Sequence, residues 1–268
     1  VDSGDCDLAD ANALRELIRR VQPDVIINPA AYTAVDKAEE QKDLAMAING
    51  FAPGVMGEEA ARLGASVIHY STDYVFDGAK DAPYTEADQP APIGVYGHSK
   101  LAGETSLRTA TDRHLILRTS WVVGAHGNNF AKTMLRLAAE RESLSVVNDQ
   151  HGAPTSAALL ADVTAHLVRQ LQQSASSTFP FGLYHLTASG ETNWYEYARF
   201  VLAYAEQQGQ LALRVKAANV SPIESSRYPT RAKRPTNSRL DVQKFQQTFG
   251  LRLPHWQESL QHILDQIL

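Results

Sequence analysis

The feature that most constrains this chain is an alternation of short, mostly apolar runs with helix-length segments. The runs "DVIIN" (24–28), "SVIHYST" (66–72) and "HLILRTS" (114–120) are rich in β-branched residues and lack a consistent polar face. Strands that are apolar on both sides are buried on both sides, as in a parallel sheet held between helix layers. "ANALRELIRR" (11–20) repeats its leucines and isoleucine at helical spacing, with Pro23 just beyond. Residues 42–63 read as a second helix despite Pro53, and "NFAKTMLRLAAER" (129–141) as an amphipathic third. The expected architecture is α/β: a doubly wound, Rossmann-like parallel sheet.

With 268 residues, one large domain or two unequal ones can form a core. The pattern changes after about residue 145. "SVVNDQHGAPTSAALLADVTAHLV" reads as strand, turn and helix, "QQSASSTFPFG" as a polar loop, and "GLYHLTAS" as a returning strand. The sheet domain is therefore assigned to 1–145, and a smaller ligand-facing region, interleaved with it, to 146–268. A net charge of −5 gives no footprint for nucleic acid or an anionic membrane. Cys6 is the only cysteine, so no internal disulfide forms. No apolar run approaches the ~20 residues that span a bilayer. The expected location is cytoplasmic.

Ligands of open parallel sheets bind beyond the carboxyl ends of the strands. Here those ends read "NPAAYT", "YSTDYVF" and "RTSWVVG". Small and hydroxyl residues also end strands for purely local reasons, but three such ends in one sheet point to a ligand site.

Just after a Pro-rich loop, "GVYGHSK" places Tyr96 four residues before Lys100, on one helix face. A phenol titrates at about 10, and a neighbouring ammonium lowers that value. The pair then becomes a usable general acid–base, with Ser71 or Thr72 placed to hold a carbonyl oxygen. That combination suits interconversion of a ketone and an alcohol. A Tyr-x-x-x-Lys arises by chance roughly 0.3 times in such a chain, so the surrounding strand ends carry the discrimination.

Taken with "PDVIINPAAYTAVDKAE", "HYSTDYVFDG", "VYGHSKLAGE", "LRTSWVVG", "NNFAKTMLRLA", "VNDQHGAPT", "GLYHLTASG" and "RPTNSRLD", the chain resembles the extended short-chain dehydrogenase/reductase family, in its nucleotide-sugar reductase branch. The resemblance implies reduction of the 4-keto group of dTDP-4-dehydro-L-rhamnose by NADPH or NADH, with residues 1–145 binding the cofactor. It places Thr72, Tyr96 and Lys100 in the catalytic positions: Tyr96 as proton donor, Lys100 beside it and on the nicotinamide ribose, Thr72 on the keto oxygen. Asp7 and Leu8 would border the adenine, and Ala30, Ala31 and Tyr32 would line the phosphate–ribose stretch. Trp121 would stack on the deoxysugar, with a plain core role as the alternative. Asp73, Asn128, Asn129, Arg234, Asn237 and Arg239 complete the expected substrate-binding set, the arginines through their bidentate fork for phosphate.

Two departures stand out. The chain opens at Val1 without the strand, Gly-rich turn and helix of a dinucleotide fold, and no G-x-G-x-x-G occurs in it. The expectation is an N-terminally incomplete enzyme whose 268 residues alone bind NAD(P)H poorly. Second, some relatives dimerise through magnesium held by glutamates, one of them in the helix after "GAPT". This chain has Ala157 and Ala158 there, so no metal site is expected, while a homodimer of another kind stays open. Two other readings remain. An epimerase or dehydratase is one, although a dehydratase would want an acidic pair where Thr72-Asp73-Tyr74 supplies one carboxylate. A non-catalytic regulatory subunit of the same frame is the other.

Overall fold

The computed structural model describes residues 4–174 and 178–268. From the amino end the chain forms α1 (Ala11–Val21), β1 (Val25–Asn28), α2 (Val35–Ala38), α3 (Lys42–Met46), a π turn (Ala47–Phe51), α4 (Ala52–Leu63), β2 (Ser66–Thr72) and α5 (Val95–Ala110). It continues through β3 (His114–Thr119), β4 (Val122–Val123), α6 (Phe130–Glu140), β5 (Leu144–Val147), β6 (His151–Gly152), β7 (Thr155–Ser156) and α7 (Ala157–Gln173). The last part holds β8 (Gly182–His185), β9 (Thr192–Asn193), α8 (Trp194–Gln208), β10 (Val220–Ile223), α9 (Gln243–Phe249) and α10 (Trp256–Ile267).

The central sheet is parallel throughout, in the order β1-β2-β3-β8. Its residues alternate between faces. Ile68, Leu115 and Leu117 pack with Leu160, Leu167 and Phe245 of α7 and α9. Val67 and Ile116 pack on the other side with Ala60 of α4 and Leu107 of α5. Both faces are thus covered by helices, as the apolar runs require.

Local chemistry sets the helix ends. Asp10 accepts the N–H groups of Asn12 and Ala13 at the start of α1. The helix expected over 42–63 runs without a gap, α3 passing into α4 through the π turn with right-handed helical backbone at each junction. Pro53 follows directly on that π turn, the local change of hydrogen-bond register that lets a helix carry a residue with no N–H. The polar loop expected after residue 171 begins later, because Gln172 and Gln173 complete α7; its residues 175–177 lie outside the described residues.

A boundary at residue 145 does not divide the packing. Helix α6 joins α8 and α10 in one core with Leu144 and Val220 of the β5–β10 pair. Strand β8 and helices α7 and α9 return to the main sheet. This second core stands beyond the carboxyl ends of β2 and β3, because β4 and α6 follow directly from β3.

Candidate active site

Thr72 is the last residue of β2, and the register pairs it with Thr119 at the end of β3. Both strands therefore deliver their polar ends at one level. The Thr72 hydroxyl donates to Asp73 Oδ1 at 3.1 Å and accepts the Tyr74 N–H at 3.2 Å. It also stands at hydrogen-bonding range of the Tyr96 phenol.

Helix α5 carries Tyr96 and Lys100 across the same end of the sheet. Its start is held in trans: Glu39 Oε1 accepts the Val95 N–H at 2.9 Å, placing an acid at the helix N-terminus. The helix lies close to its neighbours because Gly97 and Gly103 have no side chain. A Cβ there would stand 2.1 Å from the Tyr74 carbonyl oxygen and 2.0 Å from that of Asn49. Tyr74 meets Tyr96 edge to face, with centroids 5.4 Å apart and planes at 77°.

The electrostatics differ from those expected of an isolated pair. Burial pushes the Tyr96 phenol well above its ordinary range, partly offset by the Thr72 hydroxyl. Lys100 is 2% exposed and donates to the Tyr70 carbonyl at 2.6 Å rather than to the phenol. Burial lowers its ammonium to about 8, with Glu104 pulling the other way. Desolvation therefore outweighs the Tyr–Lys coupling that the one-turn spacing predicts. Asp73, also buried, is pushed up to about 6 against hydrogen bonds from Ser238 and Thr72. Its Oδ2 has no partner among the described residues.

Ala30 is exposed and Ala31 and Tyr32 are partly buried just beyond β1; the Tyr32 N–H donates to Asn49 Oδ1. These small residues leave the backbone open beside the strand end. Asn49 also donates to Ser99 Oγ, tying this strand end to the helix that carries Tyr96 and Lys100. Asp7 is exposed and accepts the Ala9 N–H, and Leu8 packs on the α1–α4 cluster.

A cavity of about 880 Å³ has Ile93 and Arg234 in its lining but not Thr72, Tyr96 or Lys100; Tyr74, which touches both Arg234 and the Tyr96 ring, links the two. The cavity lining includes Arg141, Lys233 and Arg234 with no acidic residue, and the aromatic rings of Phe130, Trp194 and Tyr228. Cations suit phosphate oxygens and the rings suit a base or a sugar face. Trp121 stacks on Trp194 at 3.8 Å, so its indole flanks this wall. Arg141, Lys233, Phe130, Trp194 and Tyr228 escaped the sequence reading, since nothing local marks an exposed cation or ring as facing a cavity. "RAKRP" was the one available signal.

The other expected substrate residues fall into two groups. Arg234 lines the cavity, pairs with Asp36 at 2.8 Å and contacts Tyr74. Asn128 is exposed. Asn129 caps α6, accepting the Lys132 N–H and donating to the Gly124 carbonyl. Asn237 and Arg239 are not brought to the cavity. Asn237 donates to the carbonyls of Lys80 and Ala82 and accepts from Arg239 Nε, while Arg239 pairs with Glu191. Both brace the 80–82 loop, because a buried amide finds its partners in the nearest backbone.

The chain matches the family described as the RmlD substrate binding domain over residues 1–268. It is 49% identical over 261 residues to a dTDP-4-dehydrorhamnose reductase of Escherichia coli (strain K12), covering 97% of this chain and 85% of the relative. To the dTDP-4-dehydrorhamnose reductase of Salmonella typhimurium it is 48% identical, with the same coverage. Among solved structures, the dTDP-4-dehydrorhamnose reductase of Bacillus anthracis in complex with NADP superposes with a TM-score of 0.88 at 34% identity. That superposition covers 99% of this chain and 88% of that one.

Proposed function

This chain belongs to the RmlD substrate binding domain family, and on that premise we propose that it reduces the 4-keto group of dTDP-4-dehydro-L-rhamnose to give dTDP-L-rhamnose. The cofactor is NADPH or NADH, in keeping with the NADP-bound relative. One observation carries the site assignment: at the carboxyl end of a parallel strand Tyr96 reaches the Thr72 hydroxyl, and Lys100, one helical turn along, bonds the Tyr70 carbonyl of the same strand.

Each residue does a separable task. A nicotinamide, when bound, would supply the hydride for the sugar carbon. Tyr96 gives its phenolic hydrogen to the keto oxygen, a step its raised affinity for the proton keeps available across neutral pH. The Lys100 ammonium stabilises the phenolate left behind by its charge and offers a hydrogen to the ribose. Thr72 orients the keto oxygen once its hydroxyl hydrogen turns from Asp73. Arg141, Lys233 and Arg234 hold the diphosphate, and Phe130, Trp194 and Trp121 enclose the base and sugar. In this reading 1–145 carries the cofactor side and 146–268 most of the substrate side, with α6 shared between them.

We assign the protein to the cytoplasm, where a fractionation would find it, and a homodimer would be seen by sedimentation. Among the described residues no helix is long and apolar enough to cross a membrane. The test of function is NADPH oxidation with dTDP-4-dehydro-L-rhamnose by the full-length enzyme, run beside Tyr96→Phe. The substitution should lower kcat by about 10²–10⁴-fold with the fold intact. A variant as fast as the unsubstituted enzyme would remove Tyr96 from its role.

A further inference from the structure

One buried titratable group has no part in the chemistry above: His69, 1% exposed on β2. The parallel register sets Asn28 of β1 directly beside it, and His69 Nδ1 lies 3.0 Å from Asn28 Nδ2. The other ring nitrogen, Nε2, lies 3.4 Å from Lys100 Nζ on α5. Three elements thus contribute to one buried polar row that ends on the lysine.

Hydrogen counting restricts what this row can be. An ammonium has three hydrogens and no lone pair, so the nitrogen facing it must be a bare acceptor. Burial, with the ammonium's charge adding to it, holds the imidazole well below its ordinary range and therefore neutral. A neutral ring with a bare Nε2 carries its hydrogen on Nδ1. That hydrogen requires an acceptor, and the amide of Asn28 supplies one when its oxygen, rather than its nitrogen, faces the ring.

We propose that His69 is a positioning residue for Lys100: an Nδ1-protonated, neutral imidazole, anchored by the Asn28 amide oxygen, whose Nε2 lone pair holds the ammonium beneath the Tyr96 end of α5. The catalytic consequence rests on the reading of Tyr96 and Lys100 given above; the tautomer and the lysine contact stand on geometry. The groups around Lys100 leave this role to His69. Its own helix contributes Glu104, which is engaged by Ser71 and Arg118. The sheet contributes the Tyr70 carbonyl and the imidazole. The carbonyl takes one ammonium hydrogen, and His69 Nε2 takes the second. The third is left for a ligand.

Nitrogen-15 spectra of histidine and of the lysine Nζ test this in the whole chain. At pH 7 His69 should show a protonated Nδ1 and a bare Nε2; the opposite tautomer would overturn the proposal without any substitution. The Lys100 titration midpoint should fall by about one pH unit in His69→Leu and return close to its original position in His69→Gln, whose amide oxygen restores an acceptor. An unchanged midpoint in a folded His69→Leu, or a Gln variant as low as Leu, would also overturn it. If His69→Leu fails to fold, the tautomer and the Gln variant decide. Kinetically, the alkaline limb of kcat should move with the midpoint while KM for the nucleotide sugar holds. Failure of the unsubstituted full-length enzyme to reduce dTDP-4-dehydro-L-rhamnose would instead sink the function, leaving both spectroscopic results to judge His69.

Discussion

Arg118 on β3 and Glu104 on α5 meet across the helix–sheet interface in a two-point contact, Nη2 to Oε2 at 2.6 Å and Nε to Oε1 at 2.8 Å. Each side chain is 2% exposed. Ser71 donates to the same carboxylate, and the guanidinium lies over the Phe76 ring at 5.0 Å. The pair ties the helix that bears Tyr96 and Lys100 to the strand beside them.

Breaking that pair from one side should be severe. Glu104→Gln leaves a buried guanidinium uncompensated, at a cost of about 3–5 kcal/mol. Replacing both partners, Glu104→Leu with Arg118→Met, should recover most of it. Urea unfolding of the two variants is the check, and a single substitution costing under about 1 kcal/mol would refute the account.

Asp73 should trade stability for function. Its folded pKa of about 6 lies above its ordinary value of 3.8. The folded state therefore binds more protons between those values, and stability falls as pH rises through about 6. At neutral pH the buried carboxylate costs on the order of 2–3 kcal/mol. Asp73→Asn should then raise the melting temperature at pH 7 while leaving it nearly unchanged near pH 4. It should also slow reduction by fixing an amide donor against Thr72. Equal melting temperatures at pH 7 would contradict this.

Reduction should weaken in alkali. Lys100 is held at about 8 by burial, so its charge is present below that pH and lost above it. The ratio kcat/KM should fall as pH rises through about 8, while the Tyr96 proton, bound more tightly, persists beyond. A profile flat to pH 10 would dismiss the ammonium from catalysis.

Gly152 should control Trp121. A Cβ at Gly152 would stand 2.7 Å from the indole Cε2, and Trp194 stacked on that indole blocks its retreat. Trp121 already has a backbone φ of +48°, a costly conformation for a bulky residue. Gly152→Ala should cost about 1–3 kcal/mol, alter tryptophan fluorescence and raise KM more than it lowers kcat. Unchanged fluorescence would show that the ring has room.

Glu59 should mark the acid limit of the helical layer. Arg19 and Arg15 bond its carboxylate and hold it at about 2, below its ordinary 4.5. The stabilisation is complete above about 4.5 and is lost as pH falls towards 2. With the arginines reaching solvent, it is worth about 1 kcal/mol. Glu59→Gln should show that deficit at pH 7 and none at pH 2; an equal deficit at both would argue against ionisation as its source.

Much of the frame could be read directly from the residues. Strands apolar on both faces left few arrangements besides a covered parallel sheet, because backbone pairing and two buried faces must be satisfied together. The one-turn spacing of Tyr96 and Lys100, and the hydroxyl-tipped strand end at Thr72, were equally visible, since each depends on neighbours along the chain. The tertiary structure alone decided which electrostatic effect prevails at the pair, because desolvation depends on what packs around α5. It also decided that Asn237 and Arg239 brace a loop while Arg141 and Lys233 line the cavity. A polar side chain's role follows from its nearest partners in space, and those partners lie tens to hundreds of residues away in sequence.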